Sequence, residues 1–202
     1  MKKFLNAYPD YNKQNSGLNA QLKLIFIFNL ILFVFFPQPA SAQISPEAEQ
    51  AFRNTNVRLL TQSQNPRNFT LPLLGGGSAS LFSYRGSVVI LNFWATWCPP
   101  CRAEMPSMEN LYRRFKNEGL EILAVDLGEN ERTVNQFLQN NGFTFPVMLD
   151  LYNRAGNAYG IQSIPTSFIL DREGRIIARI VGSIEWDTPR MIAAFDALLK
   201  SR

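Results

Sequence analysis

The sequence predicts an α/β fold built on a mixed central sheet, and three observations predict it. Ser87 to Trp94 holds Val88-Val89-Ile90-Leu91, a continuous run suited to a central strand buried on both faces. A helical pattern follows it directly, and strand and helix patterns then alternate, as they do in parallel crossover units. Near the end, two strand-like runs are joined through Asp171-Arg172-Glu173-Gly174, a hairpin-type turn that adds an antiparallel half.

The elements follow in chain order. Leu24 to Phe36 is an apolar run of thirteen residues broken only by Asn29, preceded by Lys2, Lys3, Lys13 and Lys23 and followed by Ala40-Ser41-Ala42. A basic start, a short apolar run and an Ala-x-Ala site describe a secretory signal peptide over residues 1–42. A membrane-spanning helix needs about 20 apolar residues, so cleavage after Ala42 is expected, with a retained signal anchor through residues 24–36 as the alternative. Residues 43–67 are read as an N-terminal helix and linker. Ser45-Pro46-Glu47 supplies a hydroxyl cap, a proline at the first helical position and an acid facing the dipole. That helix is expected to reach about Thr61, with a polar stretch from Gln62 to Arg67 after it.

Residues 68–202 form the main domain. Phe69 to Leu73 and Ala79 to Phe82 read as a hairpin turning at Gly75-Gly76-Gly77, an N-terminal extension to the central sheet. No lysine-bearing helix follows those glycines, so a phosphate loop is not indicated. After the strand at Ser87 to Trp94, Cys101, Met105, Met108, Leu111, Tyr112 and Phe115 recur at helical spacing. Gly119 is the stop, and Pro106 is expected to kink that helix. Leu120 to Leu127 is a buried strand, Glu131 to Asn141 a helix closed by Gly142, Pro146 to Leu149 a short strand and Asn153 to Tyr159 a short helix. Thr166 to Leu170 and Arg175 to Val181 are the hairpin strands, and Thr188-Pro189 opens a final helix carrying Ile192, Phe195, Leu198 and Leu199 inward.

Composition removes whole classes of chemistry. The 202 residues include no histidine and only two cysteines. A Ser-His-Asp triad, a Cys-His pair and imidazole ligation are therefore excluded, and two thiolates cannot complete a structural zinc site. No metal and no cofactor are expected. The formal charge of +4 suggests a nucleic-acid or membrane partner, yet residues 1–42 hold four lysines against Asp10, a net +3, which leaves +1 to residues 43–202. A nucleic-acid partner thereby loses its support.

What remains is Trp97-Cys98-Pro99-Pro100-Cys101, placed where a buried strand hands over to a helix. A structural disulfide over so short a loop would add little. A redox dithiol explains the placement better: free N–H groups and the macrodipole at a helix start stabilise a thiolate on Cys98. Cys101, one turn on, is placed to resolve a mixed disulfide, and the intervening prolines restrict the loop.

The run Asn92-Phe93-Trp94-Ala95-Thr96-Trp97-Cys98-Pro99-Pro100-Cys101-Arg102-Ala103-Glu104-Met105-Pro106 resembles the signature of the TlpA/ResA-like thiol-disulfide oxidoreductases, exported proteins of the thioredoxin fold. The similarity extends from about Phe69 to Leu199. It implies a thioredoxin-like fold, Cys98 as attacking thiolate and Cys101 as resolving thiol. It also implies that Ile164-Pro165-Thr166 is the cis-proline loop, which faces the cysteines and offers backbone groups to a bound peptide. Trp97, Pro99 and Pro100 join that loop as expected substrate contacts, while Trp94 is read as core. General thioredoxins carry a buried Asp where this chain has Asn92. The resemblance assigns the tuning role instead to Glu104, for which a solvated acid in the first turns of a helix is the plain alternative.

The function expected is a protein-disulfide reductase of the periplasm or an equivalent exported compartment, anchored to the inner membrane by residues 24–36 if the signal is retained. The resemblance suggests the C-x-x-C-H sites of apocytochromes c as substrates and a membrane thiol transporter as electron donor. A disulfide-forming oxidant, a peroxidase of the same superfold and a non-catalytic peptide-binding chaperone with a structural disulfide are the alternatives.

Overall fold

The computed structural model describes residues 44–201; the expected signal segment, residues 1–42, lies outside them. Helix α1 is Pro46–Arg53, with the Ser45 hydroxyl accepting from the Ala48 N–H at 3.2 Å. It ends well before Thr61. Asn54 and Thr55 turn the chain by hydrogen-bonding back into the helix, and Leu59–Gln64 forms strand β1, antiparallel to β8 (Ile176–Val181). The polar residues from Gln62, expected in a linker, thus overlap a strand. An edge strand needs only one ladder partner and one half-covered face, so its Gln and Ser side chains can stand in solvent.

Strands β2 (Thr70–Pro72) and β3 (Ser78–Ser80) form the expected hairpin as a separate two-stranded sheet. Gly75, Gly76 and Gly77 all have positive φ, at 89°, 110° and 77°, a backbone path that side chains resist. Leu81 and Phe82, read as the end of the returning strand, belong instead to a 3₁₀ turn over Leu81–Tyr84, with the Ser80 hydroxyl accepting from the Phe82 N–H at 3.3 Å.

The main sheet has the order β1-β8-β7-β4-β5-β6. Its centre is β4 (Val88–Trp94), buried at every position, parallel to β5 (Leu120–Leu127) and antiparallel to β7 (Thr166–Leu170). Strand β6 (Val147–Asp150) continues the parallel half beyond β5, and β7 and β8 pair through the expected turn. Helix α2 (Pro99–Phe115) runs through Pro106 without interruption; the proline costs it only the donor to the carbonyl of Arg102, an exposed residue. Helix α3 is Glu131–Asn141, α4 Arg154–Ala158 and α5 Pro189–Lys200.

Both faces of the sheet are covered. Alternate residues Val88, Ile90 and Trp94 of β4 pack with Phe52 of α1, Met105 and Leu111 of α2, Val134 of α3 and Phe195 of α5. Val89, Leu91 and Phe93 face the other way, onto the hairpin residue Leu71 and Ala155 of α4. This is the α/β arrangement with a mixed sheet and an N-terminal hairpin that the sequence predicts.

Strand directions fix where a site can form. The exits of β4, β5, β6 and β8 and the entry to β7 all lie at one end of the sheet, the end where open α/β sheets bind ligands.

Candidate active site

Cys98 and Cys101 stand at that end and are joined as a disulfide, with Cα atoms 5.3 Å apart. Cys98 is the N-cap of α2, and its Sγ accepts the Cys101 backbone N–H at 3.3 Å. A sulfur usually makes a poor cap; here it occupies the position where negative charge on it is best stabilised. Both cysteines are buried beneath an exposed rim. Pro99 and Pro100 are exposed, and Trp97 is 66% exposed. The indole of Trp97 thus leaves apolar surface in solvent next to Cys98 in the chain. Trp94, by contrast, is fully buried in the core and packs on Phe137.

Across from the pair, the Ile164–Pro165 peptide bond is cis, and the carbonyl oxygen of Ile164 lies 3.7 Å from the Sγ of Cys98. Ile164 is half-buried, and the Pro165 carbonyl accepts the Gly182 N–H at 2.9 Å. Thr166 does not join this surface. It is the first residue of β7, buried, and its hydroxyl donates to the Ser163 carbonyl at 2.8 Å. Its backbone already sits in the ladder between Phe93 and Val181, so of the three Ile164 is the one shown against the cysteines, by its carbonyl.

Glu104 is not a solvated acid: it is 2% exposed. Three residues after Cys101, it lies on the same face of α2. One carboxylate oxygen accepts from Nδ2 of Asn92 at 2.9 Å, and the other accepts from Nε1 of Trp186 at 3.2 Å and from the Ile184 N–H at 3.3 Å. Burial pushes its carboxyl up to about 7 against the pull of those donors, so it can hold or release a proton near neutrality. Asn92 also donates to Ser167 at 2.9 Å, and Ser107 receives the Trp186 N–H at 3.0 Å. Trp186, Ser107 and Ser167 were not legible as site residues, because packing brings them in from up to 82 positions away. The one local signal was Asn92, an amide at a buried strand position that needed a partner.

Two further acids, Asp126 and Glu129, stand at the same end of the sheet, at the exit of β5. Asp126 is fully buried at the strand's end, and the Glu129 carboxylate accepts both the backbone N–H and the hydroxyl of Thr96, each at 2.6 Å. Among the described residues no group of three or more His, Cys, Asp or Glu side chains is placed to hold a metal ion. The reactive groups at hand are two sulfurs, a buried carboxyl and an open apolar rim, which suits exchange between a protein disulfide and a dithiol.

Comparison with known proteins agrees. The sequence profile of the AhpC/TSA family matches residues 63–179. The thiol-disulfide oxidoreductase ResA of Bacillus subtilis is 36% identical over 141 residues, covering 70% of this chain and 77% of that protein. ResA of Geobacillus thermodenitrificans is 43% identical over 117 residues, covering 58% of this chain and 67% of its own length. The crystal structure of a thiol:disulfide interchange protein of the thioredoxin family from Chlorobium tepidum superposes with a TM-score of 0.57 at 32% identity, covering 70% of this chain and 97% of that one.

Proposed function

The chain belongs to the AhpC/TSA family and, with its thioredoxin-like fold, to the ResA/TlpA-like thiol-disulfide oxidoreductases, and from that premise we propose that it reduces protein disulfides in an exported compartment, the periplasm or its equivalent. It is a thiol-disulfide oxidoreductase, and its working groups are Cys98 and Cys101. Residues 1–42 serve as the export signal; the lysine-flanked apolar run and the Ala40-Ser41-Ala42 site support this. Among the described residues no helix is long and apolar enough to cross a membrane.

In the dithiol form, the Cys98 thiolate attacks one sulfur of a substrate disulfide. A Cys98–substrate bond forms, and the other substrate sulfur leaves as thiolate. Cys101 then loses its proton and attacks the Cys98 sulfur, which releases the second substrate thiolate and leaves the Cys98–Cys101 disulfide. Two electrons pass to the substrate, and the protons follow to its two thiols. Glu104 takes the proton from Cys101, a role supported by its burial one turn along the same helix and its carboxyl poised near neutrality. Trp97, Pro99, Pro100, Ile164 and Pro165 form the surface that receives the substrate chain. The oxidised C-x-x-C-H sites of apocytochromes c are the substrates the resemblance favours, and a membrane thiol transporter returns the electrons.

One observation carries this reading: Cys98 caps α2 with its sulfur while facing the cis-proline loop. Replacing the resolving thiol tests it. Cys101→Ser, expressed in its native envelope, is expected to accumulate reductant-sensitive adducts through Cys98, with c-type apocytochromes among them. No adducts at all would leave only a structural disulfide. A midpoint potential near about −120 mV, at the oxidant end of the scale, would reverse the direction.

A further inference from the structure

The end of β5 carries a buried acid that the exchange reaction does not use. Asp126 pairs in parallel register with Trp94, four residues before Cys98, and is fully buried. Its Oδ1 accepts the Glu129 backbone N–H at 3.1 Å. Its Oδ2 has no partner, and neither does Nε1 of Trp94 beside it. The Glu129 carboxyl, three residues on and tied to Asp126 through its backbone N–H, acts on the Asp126 carboxyl by hydrogen bonding and charge, and its two oxygens accept the N–H and the hydroxyl of Thr96, each at 2.6 Å. Thr96 stands two residues before Cys98. The chain Asp126–Glu129–Thr96 therefore runs from a buried strand end to the loop that presents the attacking sulfur.

Asp126 is buried and Glu129 half-buried, and neighbouring carboxyls at such a site resist ionising together. A proton on Oδ2 of Asp126 turns an unpaired acceptor into a donor toward Glu129 and satisfies both groups at once. The charged groups acting on Asp126 are Glu129 in the loop that follows it and Asp150 at the end of β6. Asp150 is itself fixed by the N–H groups of Arg154 and Gly156 at 2.8 and 2.9 Å, and β4 presents only the uncharged Trp94. Burial first, then the contact with Glu129 and the charge of Asp150, push the Asp126 carboxyl up to about 8.

We propose that Asp126 is a positioning residue for the cysteine pair: with its proton it holds Glu129 on Thr96 and fixes the loop that presents Cys98, and without it the two carboxylates repel and the loop is released. The clamp takes from the proposed function only that Cys98 is the attacking sulfur. Its own signal is read at Thr96, so one can fail without the other.

The test uses the full chain in its disulfide form, where the cysteines do not titrate. The amide proton shift of Thr96, followed by NMR, is expected to inflect near about pH 8. In Asp126→Asn, whose amide donates to Glu129 at every pH, the inflection is lost and the shift stays at its low-pH value. In Glu129→Gln, which keeps an acceptor for Thr96 and removes the neighbouring charge, the inflection moves to lower pH. As the functional readout, the rate at which a small thiol reduces the Cys98–Cys101 bond in the unmodified chain, divided by that of Asp126→Asn, is level below the inflection and departs above it. A Thr96 amide that does not titrate, an inflection unchanged in both variants, or a rate ratio level throughout overturns the proposal. The unmodified chain alone is decisive if a variant does not fold.

Discussion

A carboxyl enclosed as Glu104 is cannot be electrostatically neutral with respect to folding. Its ordinary value of 4.5 is raised to about 7 by burial, with the donors Trp186, Ile184 and Asn92 opposing. A folded-state value above the unfolded one means stability that is fully present below about pH 4.5 and is lost as the pH rises through about 7. Glu104→Gln removes that loss. The amide fits the same box if Asn92 turns over, so that its oxygen accepts from Gln and from the Ser167 hydroxyl, while the Gln oxygen still receives Trp186 and Ile184. The expected result is a flatter dependence of denaturant-unfolding free energy on pH between about 4.5 and 7. A variant with the slope of the parent would show that Glu104 does not change its proton there. The cysteines were legible because spacing, helix start and chemistry coincide within five residues. The box around Glu104 was not, since neither Trp186 nor Ser107 carries a local mark of its partner.

Between elements, the far end of the sheet is tied by one side chain. Arg172, in the turn between β7 and β8, donates to the Gly86 carbonyl ahead of β4 at 2.7 Å, to the Glu118 carbonyl ahead of β5 at 3.2 Å and to the Leu199 carbonyl in the last turn of α5 at 2.8 Å. It passes so close to Gly119 that a Cβ there would meet Nη1 at 2.8 Å, and Gly119 also has φ 97°. The hairpin turn was readable from Asp171 to Gly174, but a turn motif does not say what its arginine reaches. Strand β1 escaped for a related reason: its Gln and Ser residues face solvent along an edge, and only β8 makes them a strand. A hydrogen bond to a charged group is worth about 1.5–3 kcal/mol where buried; two of the three from Arg172 are exposed to solvent and count for little, which leaves about 2 kcal/mol in sum. Arg172→Ala is expected to lower urea-unfolding stability by about that amount. The rate of Cys98–Cys101 reduction should not change, because Arg172 lies at the opposite end of the sheet from the pair. A change in that rate with stability intact would mean that the two ends are coupled.

At the scale of the whole chain, the question is whether residues 44–64 are an appendage or part of the fold. Read as helix and linker, they look separable: the segment is short, mostly polar and lies ahead of the thioredoxin-like core. The packing says otherwise. Ala48 and Phe52 of α1 are fully buried in the same cluster as Trp94, Met105 and Phe195, and Phe52 meets Phe195 edge to face with ring centroids 5.7 Å apart. Strand β1 adds the outermost rung of the sheet on β8. A helix of eight residues has no stability of its own in water, so α1 exists because it covers α5 and the sheet. Removing the Phe52 ring opens a cavity in the main core, and Phe→Ala at such sites costs about 3–5 kcal/mol. Phe52→Ala is therefore expected to shift one cooperative unfolding transition by that amount, followed in parallel by far-ultraviolet circular dichroism and tryptophan fluorescence. An appendage would instead detach first, giving an early far-ultraviolet change while the fluorescence of Trp94 and Trp186, on the core side of α1, stayed native.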